Sequence, residues 1–272
     1  MEDSAIMLSY SGERLVGLLV CSVVDDGRTF VSRAARILPG LRGQGVHKMQ
    51  GKAMDEFVRK TFPKVRRKRL TKQDEKFPFG RKLLQQDTLS CCVEKARLRS
   101  HQVHQITGRI YSSALEILPC TKEYLCDVIF ARRVAQKLFP DNVIVVEYFP
   151  IEPLCSNIDY LMQEHDLYFA VEKCSDGVAP RSISFGVLSP RVSNCVHWSA
   201  TVYSSVPALY EAHLVHQFRQ ACEVIEGAFI FSCYQDKRFT NCGRRVFKQL
   251  LQMTLDEERS KKTMNLYEID FP

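Results

Sequence analysis

The chain has 272 residues, of which 45% are hydrophobic and 25% charged, and its formal net charge is +7. This length suffices for one large domain or two small ones, and the composition excludes disordered and fibrous proteins. The most apolar run, Leu15 to Val24, is about half of the ~20 residues that a membrane-spanning helix needs. The acidic start Met1-Glu2-Asp3-Ser4 is unlike a secretory signal, so we expect a cytoplasmic protein without a membrane partner.

Three strands are predicted at the start of the chain, over Ala5–Tyr10, Leu15–Val24 and Thr29–Leu38. The second and third are separated by Asp25-Asp26-Gly27, and Asp-Gly between two apolar runs is typical of a hairpin turn. The first part is therefore expected to be an antiparallel meander.

A helix is predicted over His47–Phe62 and a strand over Val65–Thr71. The order strand, glycine-rich turn, helix, strand predicts a crossover unit, so part of the sheet should be parallel. The helix face expected to be apolar carries Met49, Ala53, Phe57 and Val58.

The basic residues cluster between these elements, in the run Lys64–Arg69. A solvated strand edge that strengthens the field near a bound phosphate is the favoured interpretation. A nuclear-import signal or a nucleic-acid patch is the alternative. No aromatic residues interleave with these charges, so nucleic-acid binding is not favoured.

The next segments are a loop over Lys72–Gly80, then a strand or a short helix plus strand over Leu83–Val93. The polar, basic stretch Glu94–Gly108 is predicted to be a linker, and Lys122–Phe139 a helix that ends before Pro140.

The second half starts with a predicted strand over Val143–Phe149 and a helix over Asn157–Glu164. Three strands, a helix, a strand and a helix follow, over Leu167–Glu172, Ile183–Leu188, Val196–Tyr203, Pro207–Ile225, Ala228–Tyr234 and Arg244–Leu255. The middle of this order repeats the first half, so we expect a structural repeat whose second copy lacks the glycine turn. The predicted domains are residues 1–98 and 143–272, joined by a linker and helix at 99–142.

The most informative motif is Arg42-Gly43-Gln44-Gly45-Val46-His47, which follows a buried strand and Pro39. A tight glycine turn at a helix start directs several backbone N–H groups to the positive end of that helix, which favours a diphosphate. Glycine at position 45 lets the backbone approach a phosphate without a Cβ atom in the way. The alternative is an ordinary glycine turn that caps a helix.

This motif resembles R-x-x-G-x-G/A, which marks the acetyl-CoA site of GNAT acetyltransferases. The resemblance implies an α/β (α+β) fold with a mixed, mostly antiparallel sheet flanked by helices, and a second GNAT-like C-terminal half. It also implies that the strand near Ile37 and Leu38 offers backbone groups to the pantetheine arm. The implied acetyl-CoA-binding residues are Ile37, Leu38, Arg42, Gly43, Gln44, Gly45, Val46 and His47.

Further stretches are similar to vertebrate histidine N-acetyltransferases, namely Gly17–Gly45, Lys64–Asp74 and Ala212–Gln217. The resemblance implies that acetyl-CoA is the co-substrate and that acetyl passes to the α-amine of a free amino acid. Histidine is the expected small-molecule acceptor.

Three features depart from that family. His47 stands where the motif has Gly or Ala, and the chain begins at the family's second strand, without the first strand and two helices that wall the acceptor site. No tyrosine occurs between Tyr10 and Tyr111, and Gly80 stands about where a tyrosine would protonate the departing thiolate. These departures favour the alternative of a catalytically weak or inactive GNAT-fold binding protein; a protein N-acetyltransferase is a third possibility.

Catalytic residues are not identified by the sequence. A backbone N–H near Ile37 or Leu38 could stabilise the oxyanion, whereas Asp25 and Asp26 are better explained by their hairpin turn than as a base.

Other candidate residues have a structural and a functional interpretation. His213 and His216 are three apart on a helix near Glu211, which allows metal or acceptor binding, but a partly exposed helix face is favoured. Trp198 is expected in the core. Cys91-Cys92 lacks a positioned histidine and is not favoured as a nucleophile.

The 11 cysteines include no C-x-x-C pair and are scattered through apolar stretches such as Leu19–Val23 and Phe229–Tyr234. Without a secretion signal they are predicted to be small, mostly reduced core residues. Because paired ligand spacing is missing, no metal site is expected.

Overall fold

The computed structural model describes residues 4–72, 80–94, 98, 115–175, 177–192 and 195–271. Within these residues, the main sheet has 11 strands in the order β1-β2-β3-β4-β13-β5-β12-β11-β10-β9-β6. A separate hairpin consists of β7 and β8. The strands are β1 (Ser4–Ser11), β2 (Arg14–Val24), β3 (Thr29–Ile37), β4 (Arg67–Lys72), β5 (Arg81–Glu94), β6 (Ile117–Pro119), β7 (Ile144–Val146), β8 (Phe149–Ile151), β9 (Asp166–Glu172), β10 (Ser182–Val192), β11 (Cys195–Ser204), β12 (Ala228–Asp236) and β13 (Thr263–Asp270).

Helices cover both faces of this sheet. They are α1 (Val46–Thr61), α2 (Lys122–Tyr124, continued by a π turn over Leu125–Ile129), α3 (Arg132–Leu138), α4 (Cys155–Glu164), α5 (Pro207–Val224) and α6 (Thr240–Arg245, continued by a π turn over Val246–Leu250). None of the described helices combines the length and the apolar character that a membrane span requires.

The first half confirms the predicted meander and crossover. Strands β1, β2 and β3 pair antiparallel, with positive φ angles at Asp25 and Asp26 in the β2–β3 turn. Strand β4 then pairs parallel to β3, from Thr29↔Arg67 to Ser32↔Leu70. The connection between them is α1, as expected for a parallel pair.

The predicted inward face of α1 is confirmed at Val58 and wrong at Met49, Ala53 and Phe57. Gln50, Met54 and Val58 are the buried residues of this helix, and they recur every fourth residue. Met49 is 67% exposed and Phe57 is 41% exposed. Because these two side chains are apolar, the sequence analysis assigned them to the buried face of the helix.

The second half repeats this order. Strands β9, β10 and β11 pair antiparallel, α5 follows, and β12 returns parallel to β11. The two halves also share their last strands: β5 lies between β13 and β12, and β13 lies between β4 and β5. Each half therefore completes the sheet of the other. The predicted domain boundaries remain predictions.

Several element predictions need correction. The strand predicted over Val143–Phe149 is a hairpin, because Glu147 adopts φ +56° between β7 and β8. The helix predicted over Lys122–Phe139 is broken at Ala131, where ψ is 128°. The last predicted helix begins earlier, at Thr240, and β6 and β13 were not predicted. The predicted loop and linker fall mostly in residues 73–79 and 95–114, which except for residue 98 lie outside the described residues.

The core has two layers, one on each face of the sheet. Alternate residues of β3 show this, because Phe30 packs in the cluster beneath α1 while Val31 packs with the helices of the second half. Trp198 is 2% exposed and lies in the cluster beneath α5, as predicted. Cys126 and Cys155 form a disulfide that ties α4 to the π turn after α2. Free thiols are present at Cys21, Cys91, Cys92, Cys120, Cys174, Cys233 and Cys242.

A buried ion-pair cluster joins the halves and corrects the interpretation of the basic run. Arg69 is 1% exposed and donates to Asp25 Oδ2 and Glu268 Oε2, each at 2.9 Å. Asp25 Oδ1 accepts from the Glu152 backbone N–H at 2.8 Å and from Asn157 Nδ2 at 2.7 Å. Arg67, Lys68 and Arg69 of the run are therefore paired with carboxylates in a central strand, so the solvated-edge interpretation is wrong for these three residues. Lys64 and Arg66 are exposed.

We expect Asp25→Asn to lower the free energy of unfolding by about 3 kcal/mol, because removing one partner of a buried ion pair leaves the other uncompensated. Urea denaturation measures this. Asp26→Asn is the matched control, since this neighbour also has a positive φ but is 55% exposed; we expect a change of at most about 0.5 kcal/mol. Equal effects of the two variants would contradict the assignment.

Candidate functional site

The glycine turn is exposed and follows the carboxyl end of β3. The Leu38 backbone N–H donates to Val16 O at 3.0 Å, and the chain then passes through a short 3₁₀ turn over Pro39–Leu41. Gly43 and Gly45 adopt φ angles of +79° and +81°, and both face open space. This left-handed conformation is strained for residues with a Cβ atom, which explains glycine at both positions.

Helix α1 begins at this turn with unsatisfied backbone donors. Its first hydrogen bond runs from the Met49 N–H to Gly45 O at 3.1 Å. The N–H groups of Val46, His47 and Lys48 therefore lack a partner within the helix, and no side chain caps it. Together with the positive end of a 16-residue helix, these donors favour an anion.

Two predicted residues brace the turn. Arg42 Nε donates to Ile37 O at 3.3 Å, and Gln44 Nε2 donates to Gly40 O at 3.0 Å. His47 is exposed at the helix start. All eight predicted site residues thus lie along the end of β3, the turn and the first turn of α1.

A crevice opens beside this turn because β3 and β4 separate. Their pairing ends at Ser32↔Leu70, yet β3 continues through Arg33–Ile37. The edge of β3 that faces away from β2 has no described partner strand over these residues. An extended ligand could add to such an edge through backbone hydrogen bonds.

The sequence analysis missed a β-bulge in the same strand. Val20 pairs with Ala34 and Cys21 pairs with Ser32, so Arg33 is an extra residue in β3. A bulge re-aims the backbone groups of its strand and is common next to active sites. In the sequence, the alternation of polar and apolar residues along β3 breaks at Ala34-Ala35, and this break was the only signal for the bulge.

The second half has no comparable opening in its described residues. Pairing of β11 with β12 ends at Thr201↔Tyr234, and the connection to α5 contains no residue with a positive φ. Tyr203 fills the space there. Its OH accepts from the Val145 backbone N–H at 2.7 Å, and its ring packs edge-on against Phe139 with the ring centroids 5.1 Å apart. The cavity left beside it measures only about 30 Å³.

Described residues also line cavities beside the first half. One of about 130 Å³ lies at the carboxyl end of β4. Another of about 570 Å³ lies at the far end of α1, between the β2–β3 turn and α4, and does not touch the glycine turn. Of these two, the smaller cavity adjoins the crevice, because Thr71 in its lining follows Leu70 directly.

The two α5 histidines are structural, and the prediction of a partly exposed face is wrong for His213. This side chain is 0% exposed, with Ser184 Oγ 2.9 Å from Nδ1 and Ser182 Oγ 3.0 Å from Nε2. His216 Nε2 lies 2.7 Å from the Tyr168 OH, and the two rings stack. In the described part of the chain, no group of three or more potential ligands could hold a metal ion.

Cys91 is fully buried, and burial raises the pKa of its thiol well above the ordinary value. The thiolate that a nucleophile requires is therefore disfavoured at this position.

Burial lowers the pKa of His213 to about 3 and that of His216 to about 4. Both stay neutral in the folded state, whereas in the unfolded chain they take up protons below about pH 6.5. Stability should therefore be complete above pH 6.5 and fall as the pH drops towards 4, by at most about 1.4 kcal/mol per pH unit for each histidine. Urea denaturation across this range measures the slope. His216→Gln should reduce it and exposed His47→Gln should not; an unchanged slope in His216→Gln would contradict the account.

Comparisons with known proteins concern the fold of the chain and the family that its sequence resembles. Residues 112–236 match the profile of the family "Histidine N-acetyltransferase, C-terminal". A histidine N-acetyltransferase of Xenopus tropicalis is 25% identical over 168 residues, which cover 60% of this chain and 52% of that protein. One from Scomber australasicus is 25% identical over 174 residues, covering 60% and 51%. The chain therefore spans about half the length of these curated relatives.

Solved structures show the same fold. A tandem GNAT protein from the clavulanic acid biosynthesis pathway matches with a TM-score of 0.54 and 10% identity, over 99% of this chain and 84% of that one. A GCN5-related N-acetyltransferase from Sphaerobacter thermophilus matches with a TM-score of 0.51 and 11% identity, over 99% and 81%. The chain thus has the GNAT fold, and its sequence is similar to histidine N-acetyltransferases.

Proposed function

We propose that this chain is an N-acetyltransferase that transfers acetyl from acetyl-CoA to the α-amine of a free amino acid, with histidine as the acceptor. The observation that carries the proposal is the exposed glycine turn at the start of α1, beside the unpaired edge of β3. The family match and the named relatives support acetyl as the group that is transferred and histidine as the acceptor.

The turn suits the diphosphate of coenzyme A. Free N–H groups at Val46, His47 and Lys48 and the helix dipole act at the same point, and Gly43 and Gly45 leave it open. The equivalent connection in the second half offers no such glycine, and its crevice is filled by Tyr203. We therefore place a single cofactor site, in the first half.

The edge of β3 suits the pantetheine arm. Residues Arg33–Ile37 extend beyond the last pair with β4, so an extended arm could lie against them with its thioester towards Leu70. The bulge at Arg33 then lies near the thioester carbonyl. A backbone N–H aimed at the developing oxyanion would lower the barrier to attack.

The reaction requires a neutral amine held against the thioester carbon. The amine nitrogen forms a bond to the acetyl carbon, the carbon–sulfur bond breaks, and the thiolate takes up a proton while the nitrogen loses one. Free coenzyme A thiol and N-acetyl amino acid are the products, so thiol release reports the reaction directly.

We expect purified protein mixed with acetyl-CoA to release thiol with histidine and not with most other amino acids, as followed with a thiol reagent. Gly45→Ala should weaken coenzyme A binding about tenfold, because its φ of +81° strains the alanine backbone and moves the turn. Gly12→Ala is the matched control: it carries φ +60° in open space in the β1–β2 turn, is not one of the eight predicted site residues and should bind as wild type.

Calorimetry with coenzyme A separates the outcomes. Cofactor binding without thiol release would indicate a GNAT-fold binding protein. Thiol release with protein amines alone would indicate a protein N-acetyltransferase. No coenzyme A binding, or equal losses in Gly45→Ala and Gly12→Ala, would contradict the proposed cofactor site.

A further inference from the structure

We propose that the acceptor amino acid binds in the cavity at the carboxyl end of β4, between the two halves, where Tyr148 contacts its side chain and Lys262 its carboxylate. This inference rests on the proposed function, since it assigns the second substrate of the same site. It assigns part of the acceptor site to residues of the second half of the chain.

The cavity is shared between distant segments. Thr71 and Lys72 come from β4, Lys262 and Met264 from the start of β13, Thr88 from β5 and Tyr148 from the β7–β8 turn. Its volume of about 130 Å³ suits one small molecule, since sites for drug-sized ligands measure about 300–1,000 Å³.

The position of the cavity suits transfer from a thioester in the crevice. Leu70 is the last residue of β4 that pairs with β3, and the next residue, Thr71, lines the cavity. The cavity therefore begins directly beside the point where β3 and β4 separate. An amine in the cavity would therefore approach the thioester from the β4 side. The cavity of about 570 Å³ lies at the other end of α1 and cannot serve this step.

Tyr148 presents a fixed aromatic surface. Its ring packs edge-on against Tyr234, with centroids 4.9 Å apart and planes at 69°, yet the residue is 44% exposed. The turn that carries it is held in place, because Ser189 Oγ donates to Glu147 Oε1 at 3.1 Å. A rigid, half-exposed ring beside a small cavity suits a planar side chain such as imidazole.

One charge of the cavity suits a carboxylate. Lys262 lines the cavity and is exposed, so its ammonium places a positive charge at the edge of the cavity. A positive potential attracts the α-carboxylate of an amino acid. It also lowers the pKa of a nearby amine, which favours the neutral form that attacks a thioester.

The test compares L-histidine with histamine, which has the same ring and amine but no carboxylate. In wild-type protein, kcat/KM for histidine should exceed that for histamine. Lys262→Gln should reduce this ratio about tenfold or more, because a charge-assisted contact to the carboxylate is lost. Neighbouring Lys261→Gln is the matched control: this lysine is exposed but does not line the cavity, and its removal should leave the ratio unchanged.

The aromatic contact is tested with a second pair of variants. Tyr148→Leu should raise KM for histidine about tenfold, whereas Tyr148→Phe keeps the ring and should stay within about twofold of wild type. Neither should change KM for acetyl-CoA. An unchanged histidine-to-histamine ratio in Lys262→Gln, or an unchanged KM in Tyr148→Leu, would overturn the assignment.

Direct binding separates this inference from the proposed function. If wild-type protein releases no thiol, saturation-transfer NMR of L-histidine decides: a signal that Tyr148→Leu abolishes supports the cavity although the activity fails. No histidine signal from protein that binds coenzyme A would overturn the cavity and leave the cofactor site standing.

Discussion

The guanidinium of Arg69 connects three segments that lie far apart in the sequence. It is buried in β4 and pairs with Asp25 of the β2–β3 turn and with Glu268 of the last strand, while Glu152 lies 3.7 Å away before α4. A guanidinium without partners would be costly at this depth, so these carboxylates must meet it when the chain folds. The register of β4 is thereby fixed one residue before the crevice opens.

The exchange of last strands explains how two similar halves form one continuous sheet. Strand β13 separates β4 from β5, and β5 separates β13 from β12. The cavity at the carboxyl end of β4 is therefore lined in part by residues that the second half supplies, among them Tyr148 and Lys262. The second half instead fills its own crevice with Tyr203 and Phe139, which stabilises the core.

Local patterns predicted much of the fold. The hairpin at Asp25-Asp26-Gly27, the glycine turn and the two crossovers follow from turn chemistry and from hydrophobic runs of definite length, which depend on neighbouring residues. The exposed glycine turn at the start of α1 was likewise predictable, because positive φ angles restrict the choice of residue.

Features that depend on distant partners were not predictable. Strand β13 mixes polar and apolar residues and is stabilised by pairing with β4 and β5, nearly 200 positions away. Arg69 lies in a charge run that looks solvated until Asp25 and Glu268 are placed beside it. Tyr148 was assigned to a continuous strand, because the positive φ of Glu147 has no signature in the sequence.

Backbone amide NMR during titration with acetyl-CoA tests the central claim most directly. The account predicts that the largest shifts fall on Arg33 and on Gly43 to Lys48, where the edge of β3 and the start of α1 meet the ligand. Shifts confined to the start of α5, or to the cavity at the far end of α1, would contradict a cofactor site at the glycine turn.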